Sequence, residues 1–163
     1  MPVDVSASEG AAPWLEAAGD VLGLAEAALE VLERSASELS ILLTDDAQIH
    51  ALNRDYRDKD APTDVLSFGQ DEGEVFPGMV PVLGDLVISL QTAERQANEL
   101  SHPLAAEVRV LLAHGLLHLL GHDHIDDGER IEMAAAEDAL LAALPAMAEW
   151  PTTSGLIGRQ GGP

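Results

Sequence analysis

The stretch LAAEVRVLLAHGLLHLLGHDH, residues 104–124, decides how the chain is organised. It is apolar almost throughout from Leu104 to about Leu120 and follows a break at Ser101-His102-Pro103, which predicts a helix apolar enough to sit at the centre of the fold. Gly121 can end that helix in a left-handed cap and turn the chain back. Downstream, Asp126 or Asp127 can cap a last helix from about Gly128 to Leu144, which Pro145 closes. Upstream, Ser89 to about Leu100 is predicted helical. Val65–Phe68 and Gly84–Ser89 are predicted as short buried strands, separated by an acidic Gly/Pro loop, Gly69 to Leu83, that could serve as a flap or hairpin. Leu39, Ile41 and Leu43 alternate with smaller or polar residues as a strand does. Thr44, Asp45 and Asp46 then supply an N-cap and acidic charge for a helix from Asp45 to about Arg54. From Pro13 to about Glu33, Trp14, Ala18, Val21, Leu22, Ala25, Leu29 and Leu32 share one stripe of an amphipathic helix that Gly19 and Gly23 weaken. The expected fold is α/β (α+β), with about three strands in a small mixed β-sheet packed with helices and the strand order open. One domain is expected over 1–150, and the Thr, Ser, Gly and Pro-rich tail, 151–163, is expected to be disordered.

The chain has 163 residues and a formal charge of −21, from 29 acidic against 8 basic side chains, and no third of it is net basic. This balance argues against nucleic-acid or anionic-membrane binding through bulk charge, because phosphate neutralisation needs clustered Lys and Arg, and leaves room for a local site. The same charge favours a dispersed monomer. Cysteine is absent, which removes disulfides, thiolate catalysis and Cys-ligated metals. A transition metal would have to rest on the six histidines and on carboxylates. The sequence shows neither a basic, apolar leader nor an apolar run of the roughly 18 residues a membrane span needs, so a soluble, cytoplasmic protein is expected.

Four of the six histidines fall between His114 and His124. Residues four apart on a helix share a face, with Cβ atoms roughly 6 Å apart, so His114 and His118 can present imidazole nitrogens to one ion at about 2.0 to 2.1 Å. A turn at Gly121 would let His124 approach the same ion from the other side. Three protein ligands leave a fourth position for water, as in catalytic zinc sites. Three imidazoles also suit nickel, copper or iron. The spacing H-x-x-x-H-x-x-G-x-x-H is that of the metzincin proteases, except that their general-base Glu is Gly115 here. A peptidase is therefore disfavoured. His122 is expected to face solvent, Asp123 to fix an imidazole tautomer rather than ligate, and His50 and His102 to be structural.

The second feature is NRDYRDKDAPTDVLSF, residues 53–68. Arg54, Arg57 and Lys59 are three of the eight basic residues and fall within six positions, which could make a local phosphate site against the global field. The interleaved Asp55, Asp58 and Asp60 equally suit an alternating charged surface.

HGLLHLLGHDH and LNRDYRDKDAPTDVLSF together closely resemble the YbeY family, metal-dependent, single-strand-specific endoribonucleases of ribosomal RNA maturation. The likeness continues through Gly84-Asp85-Leu86-Val87-Ile88-Ser89 and covers roughly residues 39 to 140. It implies that His114, His118 and His124 bind one metal, usually zinc, and that Arg57 is a functional basic residue near the substrate. Lys59, Arg54 and Asp123 become further substrate or supporting candidates. It also implies a metal cleft between helix and sheet, with single-stranded rRNA and the small ribosomal subunit as partners in 16S rRNA 3′-end maturation and ribosome quality control. Gly69 stands where the family commonly has Pro, His122 where it is often aromatic, and the acidic balance is extreme. Weak RNA affinity outside the ribosome, or docking helped by proteins and Mg²⁺, is expected. A non-enzymatic assembly factor whose metal only staples residues 104–128 is the alternative.

Overall fold

The computed structural model describes residues 3–69, 81–145 and 155. Alternation of apolar residues sorts each strand onto two faces of one sheet. Strands β1 (Val3–Ala7), β2 (Glu38–Thr44), β3 (Val65–Gly69) and β4 (Val82–Ser89) lie in the order β1-β2-β4-β3, with β1 and β4 parallel to β2 and β3 antiparallel to β4. Leu39, Ile41, Leu43, Leu86 and Ile88 point to the main core. Leu42, Leu66, Phe68 and Val87 point the other way, to Ile49 and Leu52 of helix α3 (Asp46–Arg57). The main-core face is covered by α2 (Val21–Val31), α4 (Leu90–Glu99) and α5 (Leu104–Leu119), with α6 (Asp127–Ala143) packed on α5 and α2. The expected central helix is α5, thirteen of whose sixteen residues are buried.

The fold is thus the expected mixed α+β sheet, with one strand more than expected. β1 pairs with β2 from Val3↔Leu39 to Ala7↔Leu43. The single helix predicted from Pro13 to Glu33 is instead three pieces: a 3₁₀ turn at Glu9–Trp14, α1 (Leu15–Ala18) and α2. Gly19 breaks it at φ +81°, a conformation that costs other residues more, and Asp20 restarts it by accepting the Gly23 amide at 3.0 Å. α3 runs one turn further than expected, to Arg57, where Asp58 takes a left-handed cap at φ +57°. Most of the predicted Gly69–Leu83 flap lies outside the described residues, as does the tail apart from Gly155. Among the described residues, no helix is long and apolar enough to cross a membrane.

Asp46, at the start of α3, ties two elements together. Its carboxylate accepts from Ser89 Oγ at 2.7 Å, from Thr92 Oγ1 and from Arg95 Nη1 at 2.7 Å, while its amide donates to Gln91 Oε1. Burial alone would raise this carboxyl, but the two hydroxyls and Arg95 outweigh it and hold it below the usual range. Arg95 is largely exposed, so the hydroxyl bonds carry most of the effect. A depressed native value stabilises the fold above the ordinary Asp range and stops doing so as pH falls through the native value. Asp46→Asn is expected to cost about 1–2 kcal/mol in urea unfolding at pH 7, with the difference from wild type shrinking below about pH 4.

Candidate metal centre

α5 lies directly on β3 and β4, and Gly115 is a point of close approach. A Cβ added at Gly115 would come within 2.7 Å of Leu86 Cδ2 and 3.3 Å of Val65 Cγ2. Position 115 therefore faces the sheet, whereas His114 and His118 face the cleft beside it. After Leu119 the helix closes in a Schellman pattern: Gly121 N–H donates to His118 O and His122 N–H to Leu117 O, both at 3.0 Å, with Gly121 at φ +99°. The expected reversal at Gly121 is present, and it brings His124 back toward the helix.

His114, His118 and His124 converge, each offering a nitrogen within 4.8 Å of the others. The Nε2 atoms of His114 and His118 are 3.1 Å apart. Two tetrahedral ligands at 2.0–2.1 Å from one ion would be about 3.3 Å apart, so the pair needs almost no adjustment to share a metal. Burial, then the neighbouring His114 and His124, lower the His118 pKa, partly offset by Asp123 and the His122 backbone. Burial and the two neighbouring histidines favour the neutral form that a ligand requires. The donor set is all imidazole, which fits zinc and other late transition metals.

The histidines form one wall of a cleft of about 690 Å³. Val65, Ser67 and Gly69 of edge strand β3 line it, and Arg57, Lys59 and Asp64 approach from the end of α3 and the loop beyond. Arg57 donates to Ser67 O and stacks its guanidinium 5.1 Å from the centre of the Phe68 ring. Asn53 is buried and donates to Ala61 O at 2.9 Å, which folds the 58–61 segment so that Lys59 faces the cleft. Arg54 does not line the cleft and pairs with Asp55 on the exposed surface.

Asp123 accepts its own neighbour's amide, that of His124, at 2.8 Å. The carboxylate bonded to an imidazole of the cluster is Glu137 of α6, with Oε2 2.8 Å from His114 Nδ1. It was not singled out from the sequence, yet it left a mark there: an acid on the same buried stripe as Met133, Leu140 and Leu141. The half-buried His122 lines a separate shallow pocket with Asp123 and Glu129. His50 pairs with Asp60, and His102 with the fully buried Glu107, both away from the cluster.

The sequence profile of Endoribonuclease YbeY matches residues 7–145. The Endoribonuclease YbeY of Pelotomaculum thermopropionicum is 48% identical over 150 residues, covering 88% of this chain and 97% of that relative. That of Aquifex aeolicus is 55% identical over 105 residues, covering 64% of this chain and 68% of its own. A solution structure from Thermotoga maritima, 24% identical, superposes with a TM-score of 0.58 over 86% of this chain and 87% of its own, which supports the fold. Agreement that runs from the end of β1 to just past α6, with about half the residues identical, takes in both cleft walls and the elements that hold them, so the chain belongs to the Endoribonuclease YbeY family.

Proposed function

We propose that the protein is a metal-dependent, single-strand-specific endoribonuclease with zinc held by His114, His118 and His124, acting as a cytoplasmic monomer on the 3′ end of 16S rRNA and in ribosome quality control. The observation that carries this reading is a juxtaposition. Three imidazole nitrogens meet at one wall of a cleft whose other wall presents Arg57 and Lys59, in a chain that is otherwise strongly acidic. A scissile phosphate seated between the two walls would meet cationic donors on one side and the metal site on the other. When bound, the ion supplies Lewis-acid polarisation and lowers the pKa of water near it.

The chain's own residues have narrower tasks. Arg57 is placed to exchange its Ser67 carbonyl bond for phosphate oxygens and to neutralise charge that grows in the transition state, and Lys59 can pair with an adjacent phosphate. Asp64 is the carboxylate among the described cleft residues, and it is poorly placed as a proton acceptor. Its Oδ1 accepts from Val65 N–H at 2.8 Å and its Oδ2 from Gln96 Nε2 at 3.1 Å. Gly115 provides no base either.

The deciding experiment compares cleavage of end-labelled single-stranded and duplex RNA by metal-stripped and zinc-reloaded protein prepared identically. Cleavage of the single strand in the zinc-reloaded sample alone supports the reading. Equal cleavage in both samples, or none, would sink it in favour of a ribosome factor whose metal is only a staple. Arg57→Ala is expected to lower kcat/KM on the same RNA by about 10²–10³-fold while zinc affinity stays at the wild-type value. Unchanged cleavage would remove Arg57 from the site.

A further inference from the structure

α6 lies outside the cleft, yet it sends one carboxylate to the back of the metal centre. Glu137 is fully buried, and Met133, Leu140 and Leu141 of the same helix are buried with it. Burying a carboxylate is costly unless it is paired, and His114 Nδ1, 2.8 Å away, provides a partner. Where Glu137 accepts this bond, Nδ1 is the donating nitrogen and the Nε2 lone pair is left toward His118. On its other side Glu137 is pressed by a remote part of the chain. The Gly155 amide donates to Asp138 Oδ1 at 3.1 Å, which seats Gly155 on the helix. A Cβ added there would lie 2.6 Å from Glu137 Cβ and 3.0 Å from Glu137 Oε1, so even alanine forces Glu137 to move. Gly155 is itself buried, so the added group would have no open space to enter.

We infer that Glu137 is the positioning residue of the metal centre and that Gly155, packed on α6, holds Glu137 in register with His114. This rests on the metal-dependent reading above. Metal affinity is then set partly from outside the cleft, by how closely position 155 packs on α6. Removing a carboxylate that orients a ligating histidine typically costs 10–100-fold in metal affinity.

The test titrates zinc against a chromophoric chelator and records the cobalt(II) visible spectrum of full-length wild type, Glu137→Gln, Glu137→Ala, Gly155→Ala and His118→Ala. Apo-protein circular dichroism checks folding. Glu137→Ala is expected to bind zinc about 10–100-fold more weakly. Glu137→Gln fills the same space, so a merely space-filling role predicts wild-type affinity; with one acceptor oxygen and the charge lost, it should instead bind between wild type and Glu137→Ala. Gly155→Ala should weaken binding several-fold and shift the cobalt bands, although it touches no ligand. Folded Glu137→Gln and Gly155→Ala proteins with wild-type affinity and spectra would overturn the inference while a loss in His118→Ala left the metal centre standing. Wild type that binds neither ion, or binds as well after His118→Ala, would overturn both.

Discussion

Zinc-supplied His118→Ala protein is expected to cleave single-stranded RNA about a thousandfold more slowly than wild type, whereas His122→Ala, four residues on, is expected to keep nearly all activity. The three rings form a near-triangle, with centroids 4.6 Å apart for His114 and His118, 5.3 Å for His118 and His124 and 5.6 Å for His114 and His124. Losing His118 leaves two protein donors where three converge. An ion that contributes several kcal/mol to the transition state, about 4, accounts for a factor of roughly a thousand. His122 lines a different pocket and serves as the control. The apo melting temperatures of the two variants should agree within a few degrees, because both rings are only partly buried. Activity above a tenth of wild type in His118→Ala would remove it from the ligand set.

Gly115→Glu, which would restore the metzincin pattern, is expected to disrupt folding and to produce no peptidase. The backbone places that side chain against Leu86 and Val65, between helix and sheet, so the carboxylate would be buried in the core rather than brought to the cleft. Even Gly115→Ala should destabilise. Alanine gains up to about 1 kcal/mol in helix propensity, but overpacking a filled core costs about 1–3 kcal/mol, and Leu86, fully buried at 0% exposure, has little room to yield. Urea unfolding would show the net loss, and the sign decides: an alanine variant more stable than wild type would mean that α5 can lift from the sheet. For Glu, an unpaired buried carboxylate adds several kcal/mol more. Failure to express soluble protein, or a loosely packed state without near-ultraviolet dichroism, is the expected result. Gly115 is thus explained by the approach of α5 to β3 and β4, with Gly115 O also accepting from Ser67 Oγ at 3.3 Å.

What could be read in the sequence was mostly local in its cause. Two histidines four apart and the cap at Gly121 are consequences of helix geometry within one short stretch, so the convergence of His114, His118 and His124 could be expected without knowing the fold. The break at Gly19 was harder to see because the apolar stripe continues in phase across it, through Ala18, Val21 and Ala25, and periodicity does not register a single residue at positive φ. β1 is five residues long, with Val3 and Val5 alternating with Asp4 and Ser6. Its stability comes from a parallel partner in β2, far away in sequence, which no short window contains. Glu137 is hidden for the same reason, since its bond to His114 spans 23 residues. The side of α5 on which Gly115 lies depends on where the sheet packs. The sequence could show that a general base was absent there but not that the position is closed to one.

The Schellman turn at Gly121 divides the three histidines between two parts of the molecule that differ in how easily they open. His114 and His118 ride on α5, which loses its place only when the core unfolds. His124 lies on a surface loop where Ile125 is 83% exposed and the bonds just described are short-range, from His122 to Leu117 and from His124 to Asp123. Such a loop can detach by itself at a small fraction of the global unfolding free energy. An ion held there would therefore leave in two stages, first losing the loop ligand and then the helix pair. Its residence time would be governed by opening of the loop rather than by overall stability. A variant such as Asp46→Asn, remote from the turn, would melt earlier yet surrender zinc to a chelator at the wild-type rate.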